Sequence, residues 1–168
     1  MPFDPTLAAD IDAVTAIYGD HVLHGTGSFE IVPPDSAEMR TRFASLLAAN
    51  YPILLLKRGD AVLGFAYAGP HKARAAYSHT VEDSIYLHPD SAGKGFGQAL
   101  LSALIAETKA RGFKQVIAVI GDSANTPSIR LHARVGFAEI GIARQLGFKF
   151  DPYLDVVFMQ LSLMDTTP

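Results

Sequence analysis

The chain has 168 residues, 49% of them apolar, and we expect one compact domain over residues 1–168 with a full hydrophobic core. A formal net charge of −3 argues against nucleic acid or an anionic membrane as the main partner, and no apolar run approaches the roughly 18 residues of a membrane span. The lack of cysteine excludes a thiol nucleophile, disulfides and thiolate metal sites, and it fits a cytoplasmic location.

The first half of the chain alternates between helical and extended patterns. Asp35 precedes the second helical pattern, and its short carboxylate side chain suits an N-cap. A turn at 58–60 separates two apolar runs and predicts a β-hairpin. The predicted elements of this half are a helix over 8–24, a helix from residue 36, strands over 52–56 and 62–67, and a strand over 80–88.

The second half repeats the alternation of helix and strand. The run from Val116 to Ile120 is apolar at every position, as expected of a strand covered on both faces. The predicted elements are a helix over 98–111, a strand over 116–120, a helix over 128–135, and strands over 137–146 and 153–163. Together the two halves predict an α/β fold with a mixed sheet.

Three alternate glycines, at positions 93, 95 and 97, separate the strand over 80–88 from the following helix. Unpaired backbone N–H groups in such a loop, together with the positive end of the helix dipole, suit a phosphate group. The loop does not match a P-loop, because no Gly-Lys-Ser/Thr follows, nor a dinucleotide fingerprint, because Gln98 occupies the place of the third glycine. The alternative is a flexible turn that binds nothing.

The Gly95-x-Gly97 pair resembles the pyrophosphate loop of the GNAT superfamily of acetyl-CoA-dependent N-acetyltransferases, although Ala92 stands where that family carries Gln or Arg. A longer set of segments is similar to the phosphinothricin N-acetyltransferase family, including its members that acetylate methionine sulfone and methionine sulfoximine. These segments are 26–30, 67–77, 80–87, 112–114, 119–121, Asn125, 128–132 and 155–161. The resemblance implies the GNAT fold, a mixed and mostly antiparallel central sheet flanked by helices.

The resemblance also implies acetyl-CoA as co-substrate. The amides that would hold its pyrophosphate are those of Gly93, Lys94, Gly95, Phe96, Gly97 and Gln98. The backbone of Ile85, Tyr86 and Leu87 would pair with the pantetheine arm where this strand splays from its neighbour. An amide there would stabilise the oxyanion that forms on the thioester. An ordinary strand is the alternative. Asn125 would cap the short helix, bind the coenzyme, or do both.

Two residues are candidates for catalysis. Glu82 aligns with the residue of the family that deprotonates the amine, and it is the predicted general base; taken alone, a solvated strand carboxylate is the alternative. His132 stands where many superfamily members carry a tyrosine that protonates the thiolate. It would act on the amine or on the sulfur, and a histidine held for structural reasons is the alternative.

The acceptor pocket is predicted from Lys72, Arg74 and Tyr77, whose cationic and hydroxyl groups suit an acidic amino-acid analogue, with Phe29 as an apolar wall. A solvated loop is the alternative for the Lys-x-Arg pair. His71 and Tyr153 depart from the family, where tryptophan is frequent, and they bear on the identity of the acceptor.

The implied reaction is direct transfer of acetyl from acetyl-CoA to the primary amine of a small amino-acid-like acceptor, since no side chain offers itself as an acyl carrier. The alternatives are the same chemistry on another amine, such as an amino acid, a polyamine or a protein N-terminus, and a CoA-binding sensor without catalysis. No metal is expected, because the six histidines lack ligand spacing. The family resemblance implies a homodimer.

Overall fold

The computed structural model describes residues 5–164. The helices are α1 (Pro5–His24), α2 (Ser36–Ala48), α3 (Phe96–Ala110) and α4 (Thr126–Arg134). The strands are β1 (Ile53–Arg58), β2 (Ala61–Pro70), β3 (Thr80–Leu87), β4 (Gln115–Gly121), β5 (Ala138–Phe148) and β6 (Tyr153–Ser162). Single 3₁₀ turns cover Ala75–Tyr77 and Pro89–Ser91. Within 5–164, no helix has both the length and the apolar content that crossing a membrane requires.

All six strands form one sheet in the order β1-β2-β3-β4-β6-β5. Four of the five neighbouring pairs are antiparallel, and only β3 and β4 run parallel. The crossover between these two strands contains the glycine loop and α3, as a parallel connection requires. The expected mixed and mostly antiparallel sheet is therefore confirmed.

Helices cover both faces of the sheet, and strand alternation decides which residues meet them. Phe65 of β2 packs with the buried residues of α1 and α2, whereas its neighbour Ala66 packs with Leu101 and Leu104 of α3. Residues directly opposite each other on β2 and β3 share a face. We call the two surfaces the α1/α2 face and the α3/α4 face.

The helix predictions are confirmed in number and order, and the differences lie at the ends. Asp35 is the N-cap of α2, because its side chain accepts the Glu38 N–H at 2.8 Å. Helix α3 begins at Phe96, two residues before the predicted start, because Gly95 caps it in the left-handed conformation. The predicted strand over 80–88 ends at Leu87, and the 3₁₀ turn that follows begins at Pro89.

Candidate active site

Strands β3 and β4 separate in the middle of the sheet. Their pairing joins residues 80–83 to residues 115–118, and the two strands diverge beyond it. The His88 N–H donates to the Leu63 carbonyl, so by alternation the backbone groups of Tyr86 also point toward β2. Those of Ile85 and Leu87 therefore point into the opening between β3 and β4. The Leu87 carbonyl there accepts a hydrogen bond from His21 Nε2 at 2.8 Å.

A cavity of about 840 Å³ occupies this opening. It is lined by β3 from Asp83 onward, by the glycine loop, by one side of α4 and by the loop after α1. The predicted coenzyme residues on its wall are Ile85, Tyr86, Leu87, Gly93, Gly95, Gly97, Gln98 and Asn125. Lys94 and Phe96 are not part of this wall: Lys94 Nζ donates to the Asp90 carbonyl at 2.7 Å, and the Phe96 ring lies 5.3 Å from the Arg58 guanidinium.

The glycine loop owes its shape to two left-handed residues. Gly93 and Gly95 have φ angles of 74° and 80°, a region that side chains with a Cβ rarely adopt. A Cβ on Gly97 would lie 3.3 Å from Leu131 and 3.4 Å from Leu87, so glycine lets the start of α3 pack closely on β3 and α4. The first amides of α3 have no intrahelical acceptor and lie beside the cavity.

Glu82 lies on the α1/α2 face of β3, directly opposite Gly69 of β2. Its side chain is 36% exposed, and Oε1 lies 2.7 Å from Nδ1 of His71, whose side chain is 16% exposed. The ionised carboxylate accepts the hydrogen bond from the imidazole N–H. Glu82 is therefore a partly accessible carboxylate beside the opening, held on one oxygen by a histidine.

His132 projects from α4 and forms a second pair with a carboxylate. Its Nε2 lies 2.9 Å from Asp83 Oδ2, and its Nδ1 lies 2.8 Å from the Ser128 carbonyl oxygen. Both partners accept, so both ring nitrogens carry a proton. Burial lowers the pKa of His132, but the hydrogen bond and charge of Asp83 outweigh it, and the pKa lies above its ordinary value. The pair is almost fully enclosed, with side-chain exposures of 3% and 1%.

The two predicted catalytic residues lie on opposite faces of the sheet. Glu82 is opposite Gly69 on the α1/α2 face, whereas Asp83, which holds His132, is opposite Ala68 on the α3/α4 face. The cavity wall includes Asp83 and His132 but not Glu82. One side of the opening thus carries the glycine loop and a buried imidazolium, and the other carries a half-exposed carboxylate.

The loop after α1 covers the ends of β4 and β5 and carries Phe29. A Cβ on Gly121 would come within 2.2 Å of the Thr26 carbonyl oxygen, and one on Gly147 within 2.0 Å of the Phe29 ring. The two glycines therefore make room for this loop. Lys149, buried beneath it, donates to the carbonyls of Gly25 and Ser28 at 2.8 and 2.6 Å. Burial lowers the pKa of Lys149.

The other predicted acceptor residues lie on the exposed segment 72–77 that follows β2. The Tyr77 ring packs edge-on against His71 with 5.6 Å between centroids, and Lys72 Nζ lies 5.3 Å from the Tyr77 ring. Arg74 is exposed. None of the three lines the 840 Å³ cavity. His71 connects Tyr77, and through its ring Lys72, to Glu82 instead.

The sequence did not reveal the roles of four residues in this region. They are His71 as the partner of Glu82, Asp83 as the partner of His132, His21 at the Leu87 carbonyl of β3, and Lys149 under the loop that carries Phe29. The sequence did contain one indication of this arrangement. Consecutive strand residues point to opposite faces of a sheet, which places Glu82 and Asp83 on different sides. Across the described range 5–164, no three histidine, cysteine, aspartate or glutamate side chains are grouped as metal ligands.

Comparison with known proteins places this arrangement in a family. The Acetyltransferase (GNAT) family profile matches residues 21–137. Phosphinothricin N-acetyltransferase from Alcaligenes faecalis is 48% identical over 160 residues, covering 94% of this chain and 81% of that protein. The L-methionine sulfoximine/L-methionine sulfone acetyltransferase from Pseudomonas paraeruginosa is 39% identical, covering 94% and 92%.

A solved structure agrees with these relatives. The GNAT phosphinothricin acetyltransferase from Sinorhizobium meliloti, crystallised with acetyl-CoA, superposes with a TM-score of 0.89 at 45% identity, covering 92% of this chain and 84% of that one. The chain belongs to the acetyltransferase (GNAT) family. It is an enzyme of the N-acetyltransferase class, and within that class it is similar to the phosphinothricin and methionine sulfoximine/sulfone acetyltransferases.

Proposed function

We propose that the enzyme transfers the acetyl group of acetyl-CoA to the primary amine of phosphinothricin, methionine sulfoximine or methionine sulfone. The observation that carries this proposal is the opening between β3 and β4, with a large cavity on the side of the glycine loop and Glu82 on the other face. Such an opening lets a thioester and an amine meet from opposite sides of the sheet. The acceptors are those named for the relatives.

Acetyl-CoA would lie in the 840 Å³ cavity. The first amides of α3 and the left-handed Gly93 and Gly95 suit its pyrophosphate, because they present N–H groups at a helix N-terminus. The backbone groups of Ile85 and Leu87 that point into the opening suit the amides of the pantetheine arm. Asn125 caps α4 through a hydrogen bond from the Ser128 N–H at 3.4 Å, and it also lines the cavity.

In the reaction, Glu82 takes a proton from the acceptor ammonium, and the neutral nitrogen attacks the thioester carbonyl carbon. A backbone amide of β3 stabilises the oxyanion, the C–S bond breaks, and the departing thiolate takes up the second proton that the nitrogen loses, so that the products are the amide and CoA as its free thiol. His132 lies in the cavity wall with both ring protons used by Asp83 and Ser128. That geometry favours a fixed positive charge near the departing thiolate over repeated proton transfer.

Acceptor selection would rest on the exposed segment 72–77 and on Phe29. Lys72 and Arg74 offer donors for an acidic or strongly dipolar head group, and a polycation would meet like charges there. Arg74→Ala should raise the KM for an acidic acceptor while leaving the Kd for acetyl-CoA unchanged. Polyamines and ordinary amino acids are the acceptors with which these compounds are compared.

The test is a screen of amine acceptors with acetyl-CoA, with release of free thiol as readout. Because the chain contains no cysteine, the protein itself gives no thiol background. We expect a higher kcat/KM for phosphinothricin, methionine sulfoximine or methionine sulfone than for lysine or spermidine. Turnover of polyamines alone would overturn the acceptor assignment, and acetyl-CoA binding with no thiol release from any amine would favour a non-catalytic CoA sensor.

We also propose a homodimer, as the family resemblance implies. The β5–β6 hairpin has five large apolar side chains that are each more than half exposed: Ile140, Leu146, Phe148, Phe150 and Tyr153. The Phe148 and Tyr153 rings are in contact, with 5.1 Å between centroids, and an exposed apolar patch of this kind is typical of a protein–protein contact. Sedimentation should give twice the chain mass of 18.0 kDa, and Phe148→Glu should return the protein to the single mass.

A further inference from the structure

Glu82 has an imidazole partner that follows directly from the strand pairing. His71 comes one residue after β2, and its Nδ1 lies 2.7 Å from Glu82 Oε1. The residue directly opposite Glu82 is Gly69, which has no side chain. The imidazole therefore reaches the carboxylate diagonally, without a competing side chain between them.

The opposite side of the imidazole is also fixed. The Tyr77 ring meets His71 edge-on at an interplanar angle of 77°, and Lys72 Nζ lies over the Tyr77 ring. Tyr67 of β2 also interacts electrostatically with Glu82. Arg42 and Glu30, which also act on Tyr67, are paired with each other at 2.7 Å. His71 is in direct contact with the Glu82 carboxylate and with the Tyr77 ring, so it lies between Glu82 and segment 72–77.

We propose that His71 is a positioning residue for Glu82, whose Nδ1–H holds Oε1 so that Oε2 faces the acceptor ammonium. The proposal rests on the role of Glu82 as general base. A half-exposed carboxylate rotates freely about its last torsion, and one charge-assisted hydrogen bond restricts it to a single orientation.

The experiment compares His71→Phe, His71→Asn and Glu82→Gln by thiol release with phosphinothricin. The Asn amide nitrogen occupies the place of Nδ1 and donates in the same way. We expect His71→Phe to lower kcat about tenfold, the effect of losing one hydrogen bond to a charged group, with KM and the Kd for acetyl-CoA little changed. His71→Asn should keep kcat within about twofold of the wild-type value, because it restores the donated hydrogen bond.

The three variants distinguish the role of His71 from the role of Glu82 as general base, on which it rests. Wild-type kcat in Glu82→Gln would overturn the base assignment itself. A large loss in Glu82→Gln with wild-type kcat in folded His71→Phe would overturn the role of His71 alone, as would a change in KM without a change in kcat. If His71→Phe fails to fold, His71→Asn decides, because a tenfold loss of kcat in the folded Asn variant would contradict a role that one donated hydrogen bond fulfils.

Discussion

Glu82 and Asp83 are neighbours on β3, and each contacts a histidine. Glu82 and His71 lie on the α1/α2 face with side-chain exposures of 36% and 16%, whereas Asp83 and His132 lie on the α3/α4 face at 1% and 3%. We call Glu82–His71 the open pair: one carboxylate oxygen lies 2.7 Å from the imidazole nitrogen, and the carboxylate remains accessible to an acceptor. We call Asp83–His132 the closed pair: both imidazole nitrogens donate to acceptors, and both side chains are buried.

Burial separates two roles for a carboxylate that is paired with an imidazole. A buried ion pair is expensive to break, because removing one partner leaves the other charge without water. A half-exposed pair contributes little to stability, since solvent screens it, but its carboxylate can exchange a proton with a ligand. One β-strand therefore supplies a buried pair that fixes a positive charge and an accessible pair that can accept a proton, at consecutive positions.

The free energy of unfolding should respond most strongly to the loss of the Asp83–His132 pair. Asp83→Leu should lower the free energy of unfolding by about 3–5 kcal/mol, because the His132 imidazolium would be left buried and unpaired. Glu82→Gln, at the next position, should change it by about 0.5 kcal/mol or less. Urea unfolding followed by circular dichroism measures both. Equal losses at the two positions would contradict the distinction between the closed and the open pair.

Catalysis should depend on the open pair, although the stability of the fold does not. Glu82→Gln keeps the shape of the side chain but removes the base, and kcat should fall by about 10²-fold or more. The Kd for acetyl-CoA, measured by calorimetry, should stay near the wild-type value, because Glu82 is not part of the cavity wall. A weaker affinity for acetyl-CoA with an unchanged kcat would contradict this assignment, because Glu82 would then act in coenzyme binding and not as the base.

A third prediction concerns the coenzyme side alone. Gly95 and Gly59 are both left-handed, with φ angles of 80° and 57°, and neither has an atom within 4 Å of an added Cβ. Valine strains the backbone similarly at both positions, but only Gly95 lines the cavity. Gly95→Val should therefore raise the Kd for acetyl-CoA by about tenfold or more, while Gly59→Val serves as the control. Equal affinities would mean that the glycine loop is only a turn.

The smallest effect is the pH dependence of the closed pair. Because the pKa of His132 is raised in the folded protein, its protonation stabilises the fold fully below the unfolded value of about 6.5. This stabilisation is lost as pH rises through the folded pKa, and each tenfold gain in proton affinity on folding corresponds to about 1.4 kcal/mol. The difference in unfolding free energy between the wild type and His132→Gln should shrink between pH 6 and 9. A constant difference would mean that His132 is not charged in the fold.

Much of the fold could be predicted, because apolar periodicity and capping residues act locally. Asp35 begins α2 where expected, and the continuous apolar run from Val116 lies in β4. The errors lie where local rules compete. Helix α4 begins at Thr126, two residues before the predicted start, because Asn125 caps it and a proline follows in its first turn.

The candidate site was predicted less completely. The glycine loop is a contiguous segment, so its geometry could be read from adjacent residues. The pairs His71–Glu82 and Asp83–His132 join positions 11 and 49 residues apart, and they depend on strand register and on where α4 docks. No periodicity encodes those distances. Only the alternation along β3 gave a sign that Glu82 and its neighbour serve different faces.

Lys149 has a consequence for the order in which the enzyme is assembled during synthesis. Its ammonium group holds the carbonyls of Gly25 and Ser28, which lie 124 and 121 positions earlier in the chain. At ribosomal rates those partners wait of the order of ten seconds before residue 149 is made. We therefore expect α1 to form early on the nascent chain, and the loop that carries Phe29 to settle only after the last hairpin has emerged.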